Sequence, residues 1–311
     1  MPPSDKPLLR LGTRRSPLAM AQAEEARRRL CEAHGWGQEM VCLTPVLASG
    51  DRIQDRPLAD IGGKALWTRE LDGWLLDGRI DAAVHSMKDV ETVRPDGITI
   101  AAMLPRADVR DVLLGAVDIA AFPRGATIGT SAPRRAAQLL NLRPDCRIVG
   151  YRGNVATRMA KLAAGEVQGT FLARAGLVRL GEEGVGRALD PAEWLPAPAQ
   201  GAIGIECRAE DERTRGLLAA IDHAPTHADV LAERAFLAAL DGTCHSPIGL
   251  WTENTGGDAV TLHGALFSED GAARVDGSAA MAAGDARAAA RLASELLGRA
   301  GPNIARLFGT A

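Results

Sequence analysis

Leu11-Gly12-Thr13-Arg14-Arg15-Ser16-Pro17 and Ile128-Gly129-Thr130-Ser131-Ala132-Pro133-Arg134-Arg135 state one pattern twice. Each time an apolar residue closes a strand, Gly-Thr follows, and Ser with Pro opens a helix. Ser is a good N-cap, and Pro is tolerated at the first helical position. A second echo sits downstream. Asp77-Gly78-Arg79-Ile80 leads into 82–84, and Ala164-Gly165-Glu166-Val167 leads into 170–172. Both times a helix ends at Gly and a strand follows. The repetition predicts two similar α/β domains with a ligand cleft between them.

Working outward, 8–12 reads as a strand, 17 to about 31 as a helix, and 40–47 as a strand. Residues 67–76 read as helical and 80–84 as a buried strand. The character changes near Ala224. A helix is expected to run to Leu240, followed by a Gly-containing loop with Cys244, an alternating stretch at 260–267 and an Ala-rich helix over about 283–299. This predicts a small α+β C-terminal domain. The expected division is 1–104 with 202–223, then 105–201, then 224–311.

The chain has 311 residues, which suits two or three domains, and 46% of them are hydrophobic, enough to bury cores and to exclude a disordered chain. A net charge of −3 argues against general nucleic-acid affinity. The start, MPPSDKPLLRLG, lacks an apolar secretory region, and no run of about 18 apolar residues predicts a membrane helix. The five cysteines are scattered, so free thiols in a reducing cytoplasm are expected rather than a disulfide framework. Cys31, Cys42, Cys146 and Cys207 read as small buried hydrophobes. Cys244 lies among Gly, Thr, Ser and Pro, and reads as an exposed nucleophile or attachment point.

Arg14 and Arg15 precede one predicted helix start, and Arg134 and Arg135 occupy the first turn of the other. A cation there opposes the helix dipole by roughly 0.3–1 kcal/mol. The arrangement makes sense if an anion lies between arginine and helix end; the plain alternative is a solvated charged face. The segment 134–179 holds nine Lys or Arg and only two acids, Asp145 and Glu166. Only Tyr151 and Phe171 are aromatic there, so a small polyanion fits better than nucleic acid. Gly62-Gly63-Lys64 is a further anion-loop candidate without the Walker A pattern. In Val84-His85-Ser86-Met87-Lys88-Asp89-Val90, Asp89 is either a cleft-facing acid/base or half of a surface pair with Lys88, and His85 reads as structural. No metal site is expected. His223 and His227 have Pro225 between them, and H-E-x-x-H and C-x-x-C are lacking.

These residues carry a resemblance. Gly12-Thr13-Arg14, Gly62-Gly63-Lys64, 84–90, Gly129-Thr130-Ser131 with Arg134-Arg135, Arg152-Gly153-Asn154-Val155 with Thr157-Arg158, Ala175-Gly176-Leu177, Gln200-Gly201-Ala202, and Gly242-Thr243-Cys244 occur in one order along almost the whole chain. In them the chain resembles the hydroxymethylbilane synthase (porphobilinogen deaminase) family. The resemblance implies two α/β domains like those of periplasmic binding proteins and a third domain presenting Cys244. It implies a dipyrromethane cofactor held by Cys244 through a thioether, and stepwise addition of four porphobilinogen molecules with loss of ammonia. Hydrolysis would then release hydroxymethylbilane. By the matches, Asp89 is the acid/base, and Arg14, Lys88, Arg134, Arg135, Arg152, Arg158 and Arg179 bind acetate and propionate groups. Ser16, Gln22, Lys64, Ser86, Thr130, Ser131 and Gln200 are the supporting contacts. A monomer without membrane or nucleic-acid partners is expected. Thr243, Ser246, Trp67, Ala199, Ala132-Pro133 and the loop 48–51 depart from the family's usual residues. The rival is a non-catalytic two-domain receptor for small anions.

Overall fold

The computed structural model describes residues 7–46, 68–254, 256 and 259–309. Gly62-Gly63-Lys64, Trp67 and the loop 48–51 lie outside the described residues. The chain divides into two compact units, Met1–Arg106 with Ala202–His227, and Ala107–Gly201 with Ala228–Ala311.

The first unit is a five-stranded sheet. Its strands are β1 (Leu9–Arg14), β2 (Val41–Val46), β3 (Ala82–Ser86), β4 (Ile98–Met103) and β10 (Ile203–Arg208), in the order β2-β1-β3-β10-β4. β1 runs parallel to β2 and β3, whereas β10 runs antiparallel to β3 and β4. Helices α1 (Pro17–His34) and α6 (Glu212–Ala219) cover one face, where Leu9, Leu11, Ala23, Leu30, Ile205 and Leu218 are buried together. Helix α2 (Arg69–Leu76) covers the other through Leu71 and Leu75 against Ile80 and Ala83. α1 runs one turn beyond its predicted end at Cys31, because Gly35, at φ +66°, is the first residue free to take the left-handed cap.

The second unit contains the same plan. β5 (Asp111–Leu114), β6 (Thr127–Gly129), β7 (Arg147–Val149), β8 (Gly169–Ala173) and β9 (Arg187–Ala188) lie in the order β7-β6-β8-β5-β9. β6 is parallel to β7 and β8, and β5 is antiparallel to β8 and β9. β6, β7 and β8 thus correspond to β1, β2 and β3, as the repeated sequence pattern predicts. The antiparallel strand is in each case the first formed after the chain changes units. Helix α3 (Pro133–Leu142) packs Leu139 on one face, beside Phe171 and Trp194. Helices α4 (Val155–Ala163) and α5 (Arg174–Arg179) cover the other, around Leu172 and Leu177. The repeated Gly-Thr has a packing cause. A Cβ on Gly12 would fall 2.3 Å from Ile80 Cδ1, and one on Gly129 would fall 2.6 Å from the Tyr151 ring.

The rest of the second unit is a small α+β layer. β11 (Ile248–Asn254), β12 (Ala259–Phe267) and β13 (Arg274–Ala282) form an antiparallel sheet, packed with α7 (Ala224–Ala239), α8 (Ala286–Arg299) and the short α9 (Pro302–Ala305). Its core is separate, with Phe236, Leu240, Ile248, Leu262, Leu266, Leu292 and Leu296 buried together. A smaller cluster of Ala137, Leu195, Ala265 and Phe267 ties it to α3. The α/β class, with two similar sheets and a small α+β part, is as the sequence predicts. Cys31, Cys146 and Cys207 are buried, and burial pushes the Cys207 thiol up to about 11. Cys42 corrects the expectation of burial: it is exposed, because β2 is an edge strand. No helix among the described residues is long and apolar enough to cross a membrane.

Candidate active site

In the first unit, a pocket of about 50 Å³ opens at the ends of β1 and β3, where the chain turns into α1 and into a 3-10 turn at Met87–Asp89. Arg14, Ser16, Gln22, Ser86 and Asp89 line it, together with Val84 and His85. Ser16 is the N-cap of α1. Its Oγ accepts from Ala19 N at 3.3 Å, and Pro17 occupies the first helical position. The first turn of α1 holds no acid, so the positive helix end borders the pocket without an internal counter-charge from that turn. Gln22 is buried and donates to Ser86 Oγ at 2.8 Å, which fixes both side chains. Asp89 is half-buried in the 3-10 turn, and its neighbour Lys88 is half-buried too, so the pair is not simply a surface feature.

A charge network lies behind this pocket. Glu206 on β10 is fully buried and accepts from Arg94 Nε at 2.7 Å and Nη2 at 2.9 Å. Arg94 also pairs with Asp72 and Glu91. His85 Nε2 sits 3.3 Å from Glu206 Oε2, an ion-pair distance without good hydrogen-bond direction. Burial alone raises the Glu206 pKa. His85 and the Arg94 guanidinium outweigh it and bring the carboxyl down to about 2. His85 is therefore anchored structurally, as the sequence suggests, while its ring also lines the pocket.

The second unit gathers Arg134, Arg135 and Gln200 around one carboxylate that the sequence reading missed. Asp111 is fully buried at the start of β5. It accepts from Arg135 Nη2 at 2.6 Å, Arg134 Nη2 at 2.8 Å, Trp194 Nε1 at 2.9 Å and Gln200 Nε2 at 2.8 Å. Burial works to raise its pKa, but the two guanidiniums hold the carboxyl far below the usual range. Arg134 and Arg135 are themselves buried, and donate onward to Leu195 O and Phe171 O. The anion inferred beside this helix start thus exists, and the protein itself supplies it. The only sequence signal was an acid opening an apolar strand, Asp111-Val112-Leu113-Leu114.

Two guanidiniums share this one carboxylate, and Arg134 Nε is buried with no hydrogen-bond partner among the described residues. Burial disfavours the Arg134 cation, Asp111 restores part of the loss, and Arg135 opposes it.

The rest of the basic segment is also less bare in space than along the chain. Asp108, upstream of the counted window, pairs with Arg110 and Arg174, and Arg143 pairs with Asp145. Arg158 Nε donates to Gly153 O, and Arg179 Nη2 to Gly201 O at 3.0 Å. Arg152 is half-buried beside Tyr151. Ser131 corrects the expectation of a capping serine: it does not cap α3. The N-cap is Ala132 without a side-chain bond, and Ser131 Oγ accepts from Tyr151 N at 2.9 Å instead. Thr130 Oγ1 accepts from Ala132 N at 3.2 Å. Ala199, before Gln200, takes the left-handed φ of +57°, and its N–H donates to the buried Glu233. A non-glycine residue there costs roughly 1–2 kcal/mol. Cys244 is exposed in the loop between α7 and β11.

The first unit thus presents an acid-bearing pocket at a helix end, and the second an internally braced arginine pair and an exposed thiol. Comparison with known proteins identifies the family. Residues 9–216 match the family model "Porphobilinogen deaminase, dipyromethane cofactor binding domain", and 227–298 match "Porphobilinogen deaminase, C-terminal domain". The porphobilinogen deaminase of Sphingopyxis alaskensis is 54% identical over 311 residues, covering 98% of each chain. That of Paracoccus denitrificans is 48% identical over 304 residues, covering 96% of each. A periplasmic substrate-binding protein of an ABC transporter from Coxiella burnetii aligns at 15% identity and a TM-score of 0.41, covering 72% of this chain and 96% of its own.

The chain belongs to the porphobilinogen deaminase family. It is a transferase with hydroxymethylbilane synthase activity, using porphobilinogen and a dipyrromethane cofactor. The receptor reading is not favoured.

Two outcomes follow. Asp111→Asn leaves two buried guanidiniums without a counter-charge and destabilises the protein by about 3–5 kcal/mol, read as a lower urea midpoint. An unchanged midpoint contradicts the bracing role. Because the folded pKa of Glu206 is depressed to about 2, its contribution is present above its unfolded value and is lost as pH falls toward about 2. Glu206→Gln therefore flattens the acid limb of stability against pH below about 4.5, and an unaltered limb contradicts the assignment.

Proposed function

We propose that Asp89 is the central acid/base of the transfer and that Cys244 carries the dipyrromethane. Arg14, Lys88, Arg134, Arg135, Arg152, Arg158 and Arg179 would take the acetate and propionate groups. Ser16, Gln22, Lys64, Ser86, Thr130, Ser131 and Gln200 would give support. The observation that carries this reading is the pocket in which Arg14, Ser16, Gln22, Ser86 and Asp89, from separate stretches of chain, meet at the start of α1.

When bound, the dipyrromethane supplies a pyrrole carbon nucleophile to which new units are added. Asp89 moves a proton at its carboxylate oxygens as the substrate amine departs, and its charge stabilises a cationic pyrrole. Arg14 and the N–H groups at the start of α1 hold a substrate carboxylate beside it. Gln22 keeps Ser86 oriented through their hydrogen bonds. The residues fit an anionic cofactor. The unpartnered Arg134 Nε and the shared carboxylate of Asp111 suit one more carboxylate at the arginine pair. That role for Arg134 and Arg135 is narrower than the open clamp expected from sequence, since most of their side-chain nitrogens already face partners within the protein.

The chain is further proposed to act as a cytoplasmic monomer, with domains at 1–104 with 202–223, 105–201 and 224–311, without membrane or nucleic-acid partners.

Asp89→Asn keeps the shape of the side chain and removes its proton chemistry. Steady-state turnover of porphobilinogen falls by roughly 10²–10⁴-fold, while the thermal midpoint stays near that of the parent. Near-normal turnover removes Asp89 from the role.

A further inference from the structure

We propose that Thr243 and Ser246 form a clasp that fixes the backbone around Cys244 for pyrrole attachment, which makes them positioning residues for loading the protein. The proposal rests on Cys244 being the attachment residue.

The loop that carries Cys244 is anchored at both ends. Gly242 is buried, and a Cβ there would lie 2.9 Å from Ile248 Cδ1 and 3.3 Å from Leu237 Cδ2. Pro247 and Ile248 are buried at the other end. Between the anchors, Thr243, Cys244 and His245 are exposed, and Ser246 is half-buried. A short exposed stretch without restraint samples many conformations, and ordering it costs entropy.

Here the restraint comes from the loop's own hydroxyls. Ser246 N donates to Thr243 O at 3.0 Å, which closes a β-turn with Cys244 at its second position. Thr243 N donates to Ser246 Oγ at 3.0 Å, so the two ends of the turn are joined twice. His245 N donates to Thr243 Oγ1 at 3.1 Å, which pins the residue after the cysteine. Ser246 O then accepts from Ile248 N at 2.8 Å and passes the turn into β11. The backbone bonds are open to any sequence. The two side-chain bonds need an oxygen at 243 and at 246, and they bracket Cys244 on both sides.

Attachment is demanding in orientation. The sulfur–carbon bond forms at the aminomethyl carbon of porphobilinogen as the carbon–nitrogen bond breaks, and the thiol proton leaves with the amine as ammonia. Thiol and carbon must meet in one geometry while the substrate's carboxylates are also held. A small alkylating reagent reaches the same thiol from many directions and does not need the clasp.

The test uses the full-length chain, produced without porphobilinogen, as the parent and as Thr243→Val/Ser246→Ala, Ser246→Ala and Thr243→Ser. Val matches the shape of Thr but cannot accept a hydrogen bond. The rate of mass gain with porphobilinogen is measured beside iodoacetamide alkylation at Cys244, read by peptide mapping, and the thermal midpoint. The double variant loads roughly tenfold more slowly, as loss of two modest hydrogen bonds gives, and Ser246→Ala shows part of that loss. Thr243→Ser loads like the parent, and alkylation is unchanged in all. Parental loading by both the double variant and Ser246→Ala overturns the clasp. So does an equal slowing of loading and alkylation, which would mean the thiol is merely less accessible. A parent chain that gains no pyrrole mass overturns the attachment reading and the clasp with it.

Discussion

One buried carboxylate organises the second unit. Asp111 opens β5, the first strand formed after the chain leaves the first unit, and accepts from four side chains at once. Through Arg135 it reaches β8, through Arg134 it reaches Leu195, and through Gln200 it reaches the segment by which the chain departs. A fully buried carboxylate without such partners would cost several kcal/mol. Two guanidiniums more than satisfy it, which leaves net positive charge around the buried group.

The first unit handles charge differently. Glu206 and Arg94 sit behind the pocket, with His85 joining them to the lining, and this buried network backs the point where β3 turns into Asp89. Local geometry adds to it. The start of α1 contributes a positive end capped by Ser16, and Gln22 further along the helix reaches across to Ser86. Close packing at Gly12 brings Ile80 against the strand just before Arg14. The residues that line this pocket therefore sit at element ends rather than on long loops.

Much of this was legible in the sequence, because the repeated Gly-Thr and Ser-Pro phrases encode steric and capping requirements that are local. The matching strand orders of the two sheets follow from the same repetition. Charge was harder to read, since it pairs in space. A count over 134–179 could not see that Asp108 and Asp111, just upstream, fold against Arg174, Arg134 and Arg135. Ser131 looked like a cap, but a nearer demand from Tyr151 N takes its oxygen. Cys42 looked like its buried counterparts, and only the position of β2 at the sheet edge exposes it. Ala199, a departure from the family's residue, occupies a left-handed backbone position that glycine would hold without strain. Sequence identifies it as unusual, and only the backbone angle says why.

The proposed attachment of a two-pyrrole group at Cys244 is the point on which the function rests. Its most direct test is the denatured intact mass of the purified chain and of Cys244→Ser, each before and after incubation with porphobilinogen. The account predicts a surplus of two linked pyrrole units on the parent chain and none on the variant. A bare polypeptide mass after incubation, or an adduct that survives Cys244→Ser, would contradict it.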